Sequence, residues 1–224
     1  MSKKVAVVLA GCGRSDGSEI HESVSALIHL SRHRAQYSCF APDVAQADVV
    51  NHVTGEPAKG EARNCMVEAA RISRGQIAPL ATLDVDAFDA VIFPGGFGAA
   101  KNLSTFAKDG AECSVLPDVA RVLKGFHASR KPIGLICIAP VLGAKVLGLA
   151  TGGPGCTVTL GADEGANAQA SKMGAKTVNR WSTESYTDEA HKVVTTPAYM
   201  CEAKPFEVYE GIGRLVDSVI ALCK

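Results

Sequence analysis

The fold is decided where a short apolar run meets a helix start, in the stretch PIGLICIAP, residues 132–140. Ile133 to Ile136 are typical of a strand buried on both faces of a parallel sheet. Pro140 suits the first turn of a helix. Cys137 is therefore predicted to lie on a tight strand-to-helix turn, a geometry that presents a nucleophile above a sheet. At this position the helix N-terminus should lower the pKa of the thiol. The competing interpretation is a small apolar residue packed in the core.

Apolar runs with the strand period alternate with amphipathic helical segments along the whole chain. The predicted strands cover about residues 5–10, 37–41, 90–93, 133–136, 157–160 and 193–195. The predicted helices cover about residues 18–33, 61–74, 117–128, 139–147 and 205–223. This alternation predicts an α/β fold of the flavodoxin-like type, a three-layer sandwich with a mainly parallel sheet and helices on both faces. We find no boundary within residues 1–224, so a single domain is expected.

The composition excludes several classes of partner. The 23 basic and 23 acidic residues balance and are interspersed, which argues against nucleic acid or an anionic membrane surface. The apolar runs are too short to span a bilayer. Eight scattered cysteines fit a reducing compartment, either the cytoplasm or, if a presequence has been removed, the mitochondrion. A small-molecule partner is expected.

No metal or cofactor is expected. The chain has no CxxC and no HExxH motif, and a metal held by His29 and His33 would lack a third ligand nearby. The loop after the first strand departs from the dinucleotide-binding motif GxGxxG because residue 16 is aspartate, and the GK[ST] of a phosphate-binding loop does not follow. A nucleotide site is therefore not predicted.

Two further loops follow predicted strands and should therefore lie beside Cys137. In VIFPGGFG, residues 91–98, Gly95 and Gly96 let the backbone approach a ligand, so that they and Ile138 are the candidates for oxyanion or substrate binding. In GCGRSDGSEIHE, residues 11–22, the carboxylates of Asp16, Glu19 and Glu22 follow the first strand. The alternative for Asp16 and Glu19 is capping of the helix start.

Together the motifs GCGxxDGSEIHE, PGGFGAAKNLS, CIAP and VVTTPAYM closely resemble the ElbB-like family of the PfpI and class I glutamine amidotransferase-like superfamily. The resemblance covers nearly the whole chain and is loosest over residues 152–188. It implies a flavodoxin-like fold, a homodimer, and a nucleophile at Cys137 that is hydrogen-bonded by an acidic residue of the first helix. Glu22 matches that position by local sequence, whereas the apolar stripe of Ile20, Val24 and Leu27 favours Glu19.

The resemblance also implies a glutathione-independent glyoxalase, a lyase that converts glyoxal or methylglyoxal to 2-hydroxy acids through a cysteine hemithioacetal. Two departures bear on this expectation. The histidine that superfamily enzymes often carry after the strand following the cysteine helix is absent, since residues 161–164 are GADE. His191 is followed by Lys192 rather than by the His-x-Glu of amidotransferases, which argues against glutamine hydrolysis. The alternative function is a redox-responsive or ligand-binding protein that uses the same cysteine.

Overall fold

The computed structural model describes residues 2–224. Its strands are β1 (Lys4–Val8), β2 (Gln36–Ala41), β3 (Ile77–Pro79), β4 (Ala90–Phe93), β5 (Ile133–Ile136), β6 (Thr157–Val158), β7 (Lys176–Thr177), β8 (Tyr186–Asp188) and β9 (Val193–Thr196). Its α-helices are α1 (Ile20–Arg32), α2 (Cys65–Ala69), α3 (Phe97–Lys101), α4 (Phe106–Asp109), α5 (Pro117–Ala128), α6 (Pro140–Leu147), α7 (Glu164–Lys172) and α8 (Pro205–Leu222).

The main sheet has the strand order β3-β2-β1-β4-β5-β9-β8. All neighbours are parallel except β8 and β9. From β1 the chain builds β2 and β3 on one side and then β4, β5 and β9 on the other, so the order reverses between β1 and β4. The predicted α/β fold with a mainly parallel sheet is confirmed, and a ligand site is expected where the carboxyl ends of these strands meet.

Alternate side chains of each central strand enter two separate cores, which is why both faces need helices. Val5, Val7 and Leu9 pack against α1, α2 and α8. Ala6 and Val8 pack on the opposite face against α3, α5, α6 and α7. The three-layer arrangement therefore follows from the uninterrupted apolar character of the strands.

Several predicted elements differ from the structure. The predicted strand at 157–160 is short and pairs only with β7 in a separate two-stranded sheet. The predicted helix at 61–74 is shorter in the structure. Asn64 caps its start by accepting from the N–H of Val67, and the helix ends at Ala69, after which the chain forms turns. Helices α3, α4 and α7 and strands β3, β7 and β8 were not predicted. Helix α7 buries only alanines, Ala166 and Ala170, and so lacks the apolar stripe that identifies a helix.

The largest correction concerns which side of α1 faces the sheet. The sequence predicts that the stripe of Ile20, Val24, Leu27 and Ile28 is buried. Instead Ile20, Val24 and Ile28 are 45%, 39% and 47% exposed. The buried face carries mostly small and polar side chains, including Glu22, Ser23, Ser25, Ala26 and His29. The apolar stripe that favours Glu19 over Glu22 is therefore not the face of α1 that packs on the sheet.

Among residues 2–224, no helix is long and apolar enough to cross a membrane.

Candidate functional site

Four loops meet at the carboxyl edge of the sheet, following β1, β4, β5 and β9. The turn between β5 and α6 carries Cys137 at φ 61°, in the left-handed region that residues other than glycine rarely occupy. The N–H of Cys137 donates to the carbonyl of Thr196 at 2.9 Å, which ties the turn to the end of β9. Such strain is held only where the surroundings enforce it, and it commonly marks a functional site. The predicted strand-to-helix turn at Cys137 is confirmed.

Glu22 lies directly beneath this turn. Its side chain is fully buried and contacts the Cys137 thiol, and its Oε2 accepts from the N–H of Gly95 at 3.0 Å. The other oxygen, Oε1, has no hydrogen bond of ordinary geometry among residues 2–224. Burial, followed by the charge of Glu19, raises the pKa of Glu22 to about 8. The carboxyl is therefore mostly protonated near neutral pH and can both donate and accept a proton.

The thiol does not have the lowered pKa that the sequence predicts. Burial, the charge of Glu22 and the hydrogen bond with Glu22 raise the pKa of Cys137 well above its ordinary value. The N–H groups of Gly96 and Ile138 lower this pKa but do not outweigh the other causes. Because two charges cannot be held so close together in a buried site, the pair carries at most one negative charge near neutral pH.

Gly95 and Gly96 allow the loop after β4 to close on the pair. A Cβ at Gly95 would lie 2.5 Å from the Cβ of Cys137 and 2.7 Å from Glu22 Oε2, so no other residue fits there. Gly96 has φ 83°, and a Cβ on it would lie 2.4 Å from the backbone nitrogen of Glu19. The N–H of Gly95 is hydrogen-bonded to Glu22. The N–H groups that point at the Cys137 sulfur are therefore those of Gly96 and Ile138.

Glu19 occupies a different place from Glu22. It is the N-cap of α1, where its Oε2 accepts from the N–H of Glu22 at 2.8 Å. Its side chain lines the cleft. Asp16 is buried in the loop before α1, where its Oδ2 accepts from the N–H of Val50 at 2.8 Å. The structure thus brings Glu22, and not Glu19 or Asp16, into contact with the thiol.

A cleft of about 970 Å³ opens above Cys137. His21 and Tyr199 line it together, with His21 Nδ1 and the Tyr199 hydroxyl 2.7 Å apart. Burial and the charges of Glu19 and Glu22 raise the pKa of Tyr199, so its hydroxyl stays protonated at neutral pH. Sequence reasoning missed this pair. The available signal was position, because His21 adjoins Glu22 and Tyr199 follows β9.

None of the other five histidines lines the cleft. His191 Nδ1 pairs with Asp188 at 3.0 Å, just before β9 begins and hence at the opposite end of the sheet from Cys137. His29 Nε2 donates to the carbonyl of Tyr209 and His33 contacts Asp217, so the two share no ligand. Within residues 2–224 no group of three or more His, Cys, Asp or Glu side chains is arranged to hold a metal.

Comparison with known proteins identifies the family. The chain is 50% identical to the rat ES1 protein homolog, mitochondrial, over 98% of this chain and 84% of that protein. It is also 50% identical to the human glutamine amidotransferase-like class 1 domain-containing protein 3, mitochondrial, over 98% of this chain and 83% of that protein. The chain belongs to the ES1 family of glutamine amidotransferase-like class 1 proteins. No family model matches the chain.

Solved structures show the same fold. An Ehrlichia chaffeensis isoprenoid biosynthesis protein with an amidotransferase-like domain is 36% identical, with a TM-score of 0.91 over 99% of both chains. Drosophila melanogaster DJ-1beta, at 18% identity and a TM-score of 0.56 over 99% of this chain and 96% of that chain, shares the fold. The predicted glutamine amidotransferase-like class is confirmed by the human relative, whereas the names of these relatives state no glyoxalase activity. The curated relatives' mitochondrial names agree with the mitochondrial alternative predicted for the compartment.

Proposed function

We propose that the protein is a glyoxalase-type lyase that needs no glutathione and converts small 2-oxoaldehydes to 2-hydroxy acids. The observation that carries this proposal is the contact, at the bottom of an open cleft, between Cys137 and a carboxyl group whose pKa is about 8. A general base works best when its pKa lies near the working pH. The mitochondrial names of the relatives support a mitochondrial site of action.

The first step joins the thiol to the aldehyde. Glu22 in its ionised form takes the thiol proton as the Cys137 sulfur bonds to the aldehyde carbon. The carbonyl oxygen, supported by the N–H groups of Gly96 and Ile138, takes this proton from Glu22 to give a hemithioacetal, and Glu22 is ionised again. Because proton transfer accompanies attack, no free thiolate has to accumulate, which suits a thiol whose pKa is raised.

The second step moves hydrogen between the two carbons. Glu22 removes the proton from the hemithioacetal carbon and returns a proton to the neighbouring carbon. The hydroxyl proton of the hemithioacetal passes to the oxygen of that neighbouring carbon, which leaves a thioester of the 2-hydroxy acid on Cys137. Water then cleaves the thioester, releasing the acid and restoring the thiol. The sum is aldehyde plus water giving 2-hydroxy acid, with no external oxidant or reductant. We assign exchange of protons with solvent to the His21–Tyr199 pair, which takes the role of the missing histidine.

The test is consumption of glyoxal and methylglyoxal by metal-free, thiol-free protein, with glycolate and lactate measured as products. Many turnovers are expected for the wild type and for Cys12→Ala, whose thiol lies in the loop after β1 outside the cleft. Cys137→Ala should make no product above background. If the wild type consumes one equivalent of aldehyde and stops, the enzyme proposal is refuted. The redox-responsive alternative is less well supported, because the thiolate is the form that peroxides oxidise and the pKa of Cys137 is raised.

We further propose that the protein is a homodimer paired through the outer face of α1. Ile20, Val24 and Ile28 form an exposed apolar stripe on this helix, and such a stripe is typical of an interface. The solution mass should be twice the chain mass of 23.3 kDa. Val24→Glu should yield monomer, whereas Val53→Glu, at a site 95% exposed, should remain dimeric. A monomeric wild type would refute this proposal.

A further inference from the structure

The cleft is much larger than the substrates named above require. Its volume of about 970 Å³ is near the upper end of pockets that bury drug-sized ligands, roughly 300–1,000 Å³. At about 30 Å³ for each water molecule, it would hold on the order of thirty waters. The volume of glyoxal or methylglyoxal is only about that of a few water molecules. A ligand of that size would touch the Cys137 corner and leave most of the cleft empty.

The unused part of the cleft is apolar. Its wall consists of side chains from α3, α4 and α7, here called the apolar arm, namely Phe97, Ala100, Phe106, Ala107 and Ala166. Phe97 is 47% exposed although it is a large aromatic residue. Exposed aromatic surface gathered in a concave site is typical of a binding site, because a ligand that covers it releases water from apolar surface.

The charged groups that line the cleft are mainly acidic. The lining contains the carboxylates of Glu19, Asp163 and Glu202 but only one guanidinium, that of Arg14. Asp163 is fixed in place as the N-cap of α7, where its side chain accepts from the N–H of Ala166 at 2.7 Å. A phosphate or carboxylate on the ligand would meet this excess of negative charge, so the lining favours an uncharged chain.

We propose that the substrate class of this site is an uncharged 2-oxoaldehyde with an extended alkyl chain. The dicarbonyl end lies at Cys137 and the alkyl chain lies along the apolar arm. This inference rests on the proposed function for its chemistry and on the size, lining and charge of the cleft for its specificity. The reaction is the one given above, with an alkyl group on the carbon that becomes the alcohol carbon.

A chain-length series tests the proposal. We expect kcat/KM to rise about three- to fourfold for each methylene added from methylglyoxal upward, until the arm is filled. An alkylglyoxal of equal length that ends in a carboxylate should fall at least tenfold below the methyl-ended compound. Equal or falling kcat/KM along the series would overturn the inference and leave the glyoxalase proposal standing.

Two substitutions test whether the alkyl chain of the substrate binds in the apolar arm. Ala107→Trp should abolish the gain per methylene by filling the arm, while Ala62→Trp, at an exposed position outside the cleft, should keep the wild-type slope. An unchanged slope in Ala107→Trp would overturn the assignment.

A binding measurement separates this inference from the proposed chemistry. Calorimetry of Cys137→Ala with unreactive 1-alkanols should show affinity rising about three- to fourfold per methylene. If no aldehyde is turned over but the alkanols bind in this graded way, the proposed function fails and the apolar specificity of the cleft stands. If the alkanols show no such gradation, the inference fails.

Discussion

Replacing Glu22 by glutamine is expected to lower kcat for aldehyde turnover by about 10²- to 10⁴-fold, the usual contribution of a positioned general base. Glutamine keeps the shape of the side chain and an oxygen that can accept from the N–H of Gly95. It cannot carry a proton between two carbons. The measurement is kcat for glyoxal or methylglyoxal across a pH series.

The wild type should gain activity as pH rises through about 8, with an apparent pKa that belongs to the Glu22–Cys137 pair. This dependence should vanish in Glu22→Gln. The matched control is Glu19→Gln, which keeps the N-cap acceptor and should stay within a few-fold of wild type. Loss of activity in Glu19→Gln with retention in Glu22→Gln would transfer the role of base to Glu19.

The same residue should make the folded protein less stable as pH rises. Folding raises the pKa of Glu22 from an ordinary value of 4.5 to about 8, so between these values the native state holds a proton that the unfolded chain has released. Stability from this group is therefore complete below pH 4.5 and is lost as pH rises to about 8. At about 1.36 kcal/mol per pH unit, the loss is on the order of 4–5 kcal/mol.

Denaturant unfolding of wild type and Glu22→Gln at several pH values measures this loss. The difference between the two proteins isolates Glu22 from other groups, such as His29 and His127, whose pKa values folding lowers. We expect the variant to gain stability relative to wild type by several kcal/mol between pH 5 and pH 8.5. A constant difference across that range would show that Glu22 is ionised in the native state at neutral pH.

The elements that hold the cysteine could be predicted because the sequence signal there is local. An apolar strand, Cys137 and a proline three residues later specify the turn, and the glycines after β4 specify a close approach. The architecture followed from the same alternation of strands and helices. These features depend on residues that are close in sequence, and hydrophobic periodicity and turn residues are patterns of such residues.

Helix α1 shows what local patterns miss. Its most apolar stripe faces outward, while Glu22, Ser23 and Ser25 face the sheet, because the buried side has to carry the carboxyl that contacts Cys137. Local hydrophobicity could not show that the chemistry of the site outweighs the usual burial preference.

The pKa of Cys137 could not be predicted for a related reason. A helix start lowers a thiol pKa, but complete burial beside a second acidic group raises it by more. Burial and the identity of that neighbour depend on β1, β4 and β5 meeting at one edge. His21 and Tyr199 lie far apart in the chain, and only this same meeting of loops brings them within 2.7 Å.

The central claim, that Cys137 turns aldehyde over through a covalent intermediate, is tested most directly by acid quenching during glyoxal turnover and mass analysis of the Cys137 peptide. We predict a thioester on Cys137 that is present while aldehyde remains and disappears once the aldehyde is exhausted. Turnover with no modification at Cys137, or a modification that persists after the aldehyde is gone, would contradict the account.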